Sequence, residues 1–201
     1  PKVLMFNHKL EADYLEAILQ PAIGAACREG KRLVVVAPYY DSFLLQKFSR
    51  DIALEFKATK TTTVVYTRAS LMDDHRTDLF NDYAALCGCT IVNENTACEI
   101  LKGELEFDPY EYLGEVGEMD IGEQSTFTTG FEHKNETMLN ILEKDALSKY
   151  NDLVEAGQTA STITEALVNA KQRMSKLKCN MGIINVGGST ELAKIANYDL
   201  V

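Results

Sequence analysis

The 201-residue sequence predicts an α/β fold in which helices flank a parallel sheet. Short apolar runs, typical of strands buried on both faces, occur at residues 2–6, 32–37, 61–66 and 90–92. Helical apolar spacing separates each run from the next. Helices that join short buried strands indicate parallel pairing through right-handed crossovers, so residues 1–92 are predicted to alternate strand and helix.

The first two strands enclose a helix with clear signals at both ends. Apolar residues recur at helical spacing from residue 10 to residue 29, and Gly30 can end that helix because glycine adopts the left-handed conformation common after a helix. Residues 32–37 form the strongest predicted strand, since an unbroken β-branched run suits a sheet covered on both faces. Pro38 ends it.

Two further helices follow. One is predicted over residues 42–56, where Asp41-Ser42 offers an N-cap. The next is predicted over residues 74–87, with Asp73-Asp74 at the end where the helix dipole favours negative charge. Gly88 ends it, and the fourth strand comes directly after.

The second half of the chain differs in composition and in the spacing of its apolar residues. Residues 118–131 are rich in threonine and glycine and predict a β-hairpin. Apolar residues then follow near-heptad spacing over residues 137–156, and a second helical pattern covers residues 162–177 after the break at Gly157. We expect an antiparallel helical hairpin, followed by a short strand at residues 181–186.

Composition excludes several classes of function. The chain carries 20 basic and 30 acidic residues, a net charge of −10, which argues against binding to nucleic acid or to an anionic membrane surface. The longest apolar runs are far shorter than the roughly 20 residues of a membrane span. The N-terminal stretch does not have the pattern of a signal peptide.

No motif for catalysis or metal binding stands out. The five cysteines include no CxxC pair and are expected to be reduced, and the three histidines (His8, His75, His133) lie far apart in sequence. Neither a GxxxxGK[ST] nor a GxGxxG phosphate loop occurs. Asp73-Asp74-His75 is interpreted as an acidic helix start rather than a metal cluster, and Gly187-Gly188 as a turn rather than an anion site.

The helix at residues 42–56 has more apolar residues than one buried stripe needs. Phe43 and Leu54 fall on one side of it. The stripe on the opposite side is formed by Leu44, Leu45, Phe48, Ile52 and Phe56. A helix that is apolar on two sides is either enclosed between layers or presents one side to a partner, and both interpretations stay open here.

Motifs spread over nearly the whole chain occur in an order found in one family. The sharpest is Val186-Gly187 followed by Thr190-Glu191. Weaker matches lie at residues 1–9, 33–37, 74–91, 113–114, 126–130 and 182–191. Together they resemble the apical domain and part of the intermediate domain of the bacterial group I chaperonins, the GroEL family.

This resemblance implies a domain organisation. Residues 1–132 correspond to a substrate-binding apical domain that lacks its first strands, residues 133–180 to a helical hairpin at the apical–intermediate junction, and residues 181–201 to the start of the intermediate segment. It also implies a longer parent protein, an ATPase that binds ATP and Mg²⁺ in a part absent from this chain. The chain itself is then expected to be non-catalytic and to hold no cofactor or metal.

The resemblance further implies a site. In the family, non-native polypeptide binds an apolar groove between two helices, which by position match residues 42–56 and 74–87. We expect these helices to lie side by side on one face of the sheet. The implied contact residues are Leu44, Leu45, Phe48, Leu79, Phe80 and Tyr83. The helical periodicity of residues 42–56 instead predicts that Phe43 and Leu54 are exposed. Of these two assignments, the positional match to the family is preferred.

The implied function is assistance to protein folding. Unfolded polypeptides and further copies of the chain in a ring are the expected partners, and a lid co-chaperonin is left open. The implied location is the cytoplasm, or the host cytoplasm for a viral protein. Two alternatives remain: a small α/β enzyme or nucleotide-binding domain with its ligand at the carboxyl ends of the strands, and an interaction module built on the helical hairpin.

Overall fold

The computed structural model describes most of the first three quarters of the chain. The described residues are 1–59, 62–68, 76–122, 126–132, 134–155, 173, 175 and 177. The chain divides into two units, residues 1–142 and residues 143–201. The predicted domain boundaries near residues 132 and 180 stay predictions. Most of the predicted helix at residues 162–177 and all of the strand at residues 181–186 lie outside the described residues.

Strands and helices alternate at the start of the first unit. They are β1 (Lys2–Met5), α1 (Gln20–Arg28), β2 (Leu33–Ala37), α2 (Ser42–Thr59), β3 (Val64–Arg68) and α3 (Arg76–Cys87). A π-helical turn at Leu15–Leu19 leads directly into α1. The elements that follow are α4 (Glu94–Leu101), α5 (Pro109–Tyr112), β4 (Gly114–Glu115), β5 (Glu118–Ile121), β6 (Thr126–Thr129) and α6 (Glu136–Glu155).

The main sheet has the strand order β3-β2-β1-β4. Its first three strands are parallel, with Val3 opposite Val34 and Val34 opposite Val65. This confirms the predicted α/β fold with a mostly parallel sheet. The short β4 pairs antiparallel with β1. The predicted fourth strand is reduced to a single parallel bridge between Phe6 and Val92.

The two faces of the sheet carry different helices. Alternate strand residues point to opposite faces, and Leu4, Leu33 and Val35 pack with buried residues of α1 and α2. The other face, which includes Val34 and Val36, packs against α3. Because α2 and α3 lie on opposite faces, the expectation that they lie side by side is wrong.

The handedness of the crossovers explains this arrangement. From β1 through β2 to β3 the chain moves across the sheet in one direction, so right-handed crossovers place α1 and α2 on the same face. After β3 the chain returns to the bridge beside β1 at Val92. The same handedness, with the direction reversed, then places α3 on the opposite face.

Local hydrogen bonds position the elements that follow α3. The predicted hairpin is confirmed as β5 and β6, which pair antiparallel. The helices α4 and α6 begin at Asn93 and Asn135, whose side chains accept bonds from Thr96 N at 2.9 Å and Met138 N at 3.0 Å. The predicted helix at residues 137–156 agrees with α6 within one residue at each end.

Four charged side chains join β1, β4 and the end of α1. Lys2 Nζ lies 3.1 Å from both Glu29 Oε2 and Glu115 Oε2, and Lys31 Nζ contacts the same two carboxylates. The hydrogen bond from Lys31, followed by that from Lys2, lowers the pKa of Glu115 to about 2. This network fixes the antiparallel β4 against the edge of the parallel sheet.

Candidate functional site

One side of α2 is buried against the sheet. Asp41 Oδ1 accepts a hydrogen bond of 2.9 Å from Phe43 N and so caps the start of the helix. Leu44 is fully buried, and Phe48 is 5% exposed. The Phe48 ring stacks on Tyr66 of β3 with the ring centroids 3.7 Å apart and an interplanar angle of 5°. Leu44 and Phe48 are therefore core residues.

The rest of α2 exposes large apolar side chains. Phe43 and Leu54 are 61% and 60% exposed, and Phe56 and Leu45 are 52% and 37% exposed. At about 100° per residue, Phe43 and Leu54 lie within about 20° of each other around the helix axis, as do Leu45 and Phe56. The helix thus carries two exposed apolar rows, Phe43/Leu54 and Leu45/Phe56, one on each flank of its buried stripe.

The helix α3 is covered on the side predicted to bind polypeptide. Phe80 is 2% exposed and packs with Val34 and Val36 of the sheet. Tyr83 is partly buried, and its hydroxyl lies 2.7 Å from Thr128 Oγ1 of the β5–β6 ribbon. Burial raises the pKa of Tyr83 well above its usual range. Sheet and ribbon therefore enclose this side of α3.

These positions correct the predicted contact residues. Leu44, Phe48 and Phe80 belong to the core and are not available to a partner in this conformation, and Tyr83 is engaged by the ribbon. Leu45 is partly exposed, and the side chain of Leu79 lies outside the described residues. Periodicity had placed Phe43 and Leu54 opposite the buried stripe, and they are exposed as that argument predicts. Phe56, which the same argument put in the buried stripe, is exposed instead.

The described cysteines do not form a nucleophilic site. Cys27, Cys87, Cys89 and Cys98 are unbridged. Burial raises the pKa of the Cys87 thiol to about 12, and burial raises that of Cys89 as well. Both thiols are therefore protonated at neutral pH and poorly reactive.

Within the described ranges, His, Cys, Asp and Glu side chains nowhere converge in groups of three or more that could hold a metal ion. In the same ranges, no helix is both long and apolar enough to cross a membrane. Asp73-Asp74-His75 and Gly187-Gly188 lie outside the described residues.

A sequence comparison and a structure comparison each find a chaperonin similar to this chain. No protein-family model matches the chain. A curated relative, the chaperonin GroEL of Acholeplasma laidlawii, is 26% identical over 191 residues, which cover 95% of this chain and 32% of the relative. The chain thus spans about a third of that relative's length.

A solved structure shows the same fold. It is a chaperonin from the bacteriophage EL 2 (Pseudomonas aeruginosa), crystallised in the presence of ATP-BeFx. The TM-score is 0.64 at 11% sequence identity, and the match covers 98% of this chain and 35% of the phage chaperonin. The sequence similarity and the shared fold together support a divergent GroEL-like chaperonin segment.

Proposed function

We propose that this chain is the polypeptide-binding part of a chaperonin and that the two exposed apolar rows of α2 bind non-native polypeptides. The observation that carries the proposal is the exposure of four large apolar side chains on one helix, Phe43, Leu45, Leu54 and Phe56. Unfolded chains expose apolar side chains that folded proteins bury. Burial of apolar surface is non-directional, so such rows accept many sequences.

The second helix of the binding groove is α1 in this proposal. It shares the sheet face of α2, whereas α3 lies behind the sheet. Ile23 of α1 is half-buried at the border of the core that both helices cover. A polypeptide held between α1 and α2 would contact the row of α2 that faces α1, and the row on the other flank would bind polypeptide outside this groove.

The expected affinity of one copy is low. Full burial of a leucine or phenylalanine side chain contributes about 1.5–3 kcal/mol, and these four are already partly buried, so each adds about 1 kcal/mol. A total of about 4 kcal/mol corresponds to millimolar binding, before the cost of ordering the polypeptide. Several copies in a ring would raise the effective affinity, because each further contact is intramolecular.

The wider activity also belongs to the proposal. We propose that the longer protein assembles as a ring, binds ATP and Mg²⁺ outside this chain, acts in the cytoplasm and uses ATP binding to move these helices. The chain itself is then expected to show no ATP binding in a calorimetric titration with ATP and Mg²⁺.

Serine substitutions on α2 test the binding surface. The pair Phe43→Ser and Leu54→Ser removes one row, and Leu45→Ser with Phe56→Ser removes the other. We expect each pair to weaken capture of a chemically denatured reporter protein severalfold, because each removes about half of the exposed apolar surface of the helix. Circular dichroism and urea unfolding report whether the fold is kept.

A matched control comes from the ribbon. Phe127 of β6 is 57% exposed, close to the exposure of Phe43, but lies away from α2. Phe127→Ser should leave capture unchanged. Equal loss of capture in the α2 and Phe127 variants would show that binding depends on general surface hydrophobicity, and the proposal would then be wrong.

A further inference from the structure

The surface around α4 and α5 concentrates negative charge. Residues 94–122 contain nine carboxylates and a single basic residue, Lys102. This short stretch therefore carries most of the net charge of −10. Six of the nine carboxylates fall between Glu94 and Glu111, and all six side chains are exposed.

Among the described residues, none of these six carboxylates forms an ion pair. In the described part of the chain, the ion pairs engage other acidic groups, such as Glu29, Glu115 and Asp145. Burial raises the pKa of the Tyr112 hydroxyl, and the negative charges of Glu111 and Glu99 raise it further. An exposed surface with this excess of negative charge attracts a basic partner.

Exposed apolar side chains lie among these charges. Leu101 is 41% exposed, Leu105 is 38% exposed, and Tyr110 is 56% exposed. The backbone holds this segment in place, since Glu104 N and Leu105 N both donate to the carbonyl oxygen of Glu99, at 2.9 and 3.2 Å. Exposed apolar side chains rimmed by polar residues mark surfaces that bind a protein partner.

The base of this surface is part of the hydrophobic core. Ile100 and Ala97 of α4 pack into the core of the α1 face, as do Phe107 and Tyr112. The Phe107 and Tyr112 rings stack with centroids 5.1 Å apart. The exposed residues therefore stand on an ordered base, which lowers the entropic cost of binding.

We propose that the exposed side chains of residues 99–111, here named the acidic–apolar surface, dock a basic polypeptide segment that carries apolar side chains. Lysine or arginine side chains of the partner pair with the exposed carboxylates, and its apolar side chains cover Leu101, Leu105 and Tyr110. This surface is distinct from the rows of α2 and goes beyond the proposed function. The charge that attracts a basic polypeptide repels nucleic acid and anionic lipid.

A peptide pair tests the proposal on the 201-residue chain. The probe is a fluorescent amphipathic peptide of lysine and leucine, and the control peptide has glutamate at every lysine position. Fluorescence anisotropy should show binding of the basic peptide only. The affinity should fall as salt is raised from 50 to 300 mM, because the screening length falls below about 10 Å over this range.

Two variants then locate the site. The triple variant Glu99→Gln, Glu104→Gln, Glu106→Gln should weaken binding of the basic peptide about tenfold, the combined effect of three surface ion pairs. The double variant Leu105→Ser, Tyr110→Ser should weaken it as well. All five side chains are exposed, so circular dichroism should be unchanged.

The variants of α2 separate this proposal from the proposed function. The pair Phe43→Ser and Leu54→Ser should leave binding of the basic peptide unchanged, whatever it does to capture of denatured protein. Three results would overturn the proposal: no binding of the basic peptide, equal binding of both peptides, or full affinity in the triple variant. Loss of peptide binding only in the α2 variant would also overturn it and assign the peptide to α2.

Discussion

Two phenylalanines of α2, Phe48 and Phe43, should respond in opposite ways to truncation. Phe48 is buried and stacks on Tyr66 with ring centroids 3.7 Å apart, whereas Phe43 is 61% exposed. They lie five residues apart on one helix. Replacing each in turn by alanine therefore separates a contribution to folding from a contribution to binding.

The expected magnitudes differ severalfold. Truncation of a buried phenylalanine to alanine costs roughly 3–5 kcal/mol, because the transfer free energy is lost and a cavity remains. The Phe48→Ala variant also loses the ring stacking on Tyr66, which places it toward the upper end of that range. Phe43→Ala removes an exposed side chain and should change the free energy of unfolding by no more than about 0.5 kcal/mol.

Urea unfolding followed by circular dichroism measures the first effect, and capture of a denatured reporter protein measures the second. We expect Phe48→Ala to shift the unfolding midpoint strongly and Phe43→Ala to weaken capture at an unchanged midpoint. If Phe48→Ala kept its midpoint and lost capture, Phe48 would be a contact residue, and the assignment of the exposed rows as the binding surface would be refuted.

Three other features of the structure lead to predictions. Tyr83→Phe removes the hydroxyl that lies 2.7 Å from Thr128 Oγ1, and should cost about 1 kcal/mol in urea unfolding; no change would exclude this contact. The pKa of Glu115 is lowered from 4.5 to about 2, so stability present above pH 4.5 should be lost as the pH falls toward 2. Glu115→Gln should flatten that part of the pH profile, and an unchanged profile would contradict the network. Cys87, with its pKa raised to about 12 by burial, should react with a thiol reagent far more slowly than the exposed Cys98, and equal rates would contradict its burial.

Local signals in the sequence predicted much of the fold. The valine run of β2 and the heptad-like spacing of α6 each specify one kind of element, and both are found close to the predicted bounds. The parallel pairing of β1, β2 and β3 also follows from the alternation of strands and helices. The short α4, α5 and β4 were not predicted. Their start signals, such as Asn93 and Asp108 as N-caps, are single polar residues that also occur in loops.

The site was harder to predict, because it depends on where the chain turns back. Nothing in residues 42–87 reveals that the strand after α3 returns beside β1, and this return places α3 on the other face. Helical periodicity correctly predicted that Phe43 and Leu54 are exposed, but it also placed Phe56 in the core. Deep burial is confined to Leu44 and Phe48 in the first half of α2, since Ile52 is half-buried and Phe56 is exposed. How deeply each turn of a helix is buried depends on its tertiary neighbours, which the sequence of the helix does not specify.

Photo-crosslinking tests directly whether the apolar rows of α2 bind non-native polypeptide. A permanently unfolded polypeptide that carries photoreactive groups is bound to the chain, irradiated, and the crosslinked residues are identified by mass spectrometry. We expect crosslinks concentrated on α1 and on residues 43–56 of α2. They should be strongly reduced in the variant that combines Phe43→Ser, Leu45→Ser, Leu54→Ser and Phe56→Ser. Crosslinks concentrated on α3, or spread evenly over the chain and unchanged in that variant, would contradict the proposal.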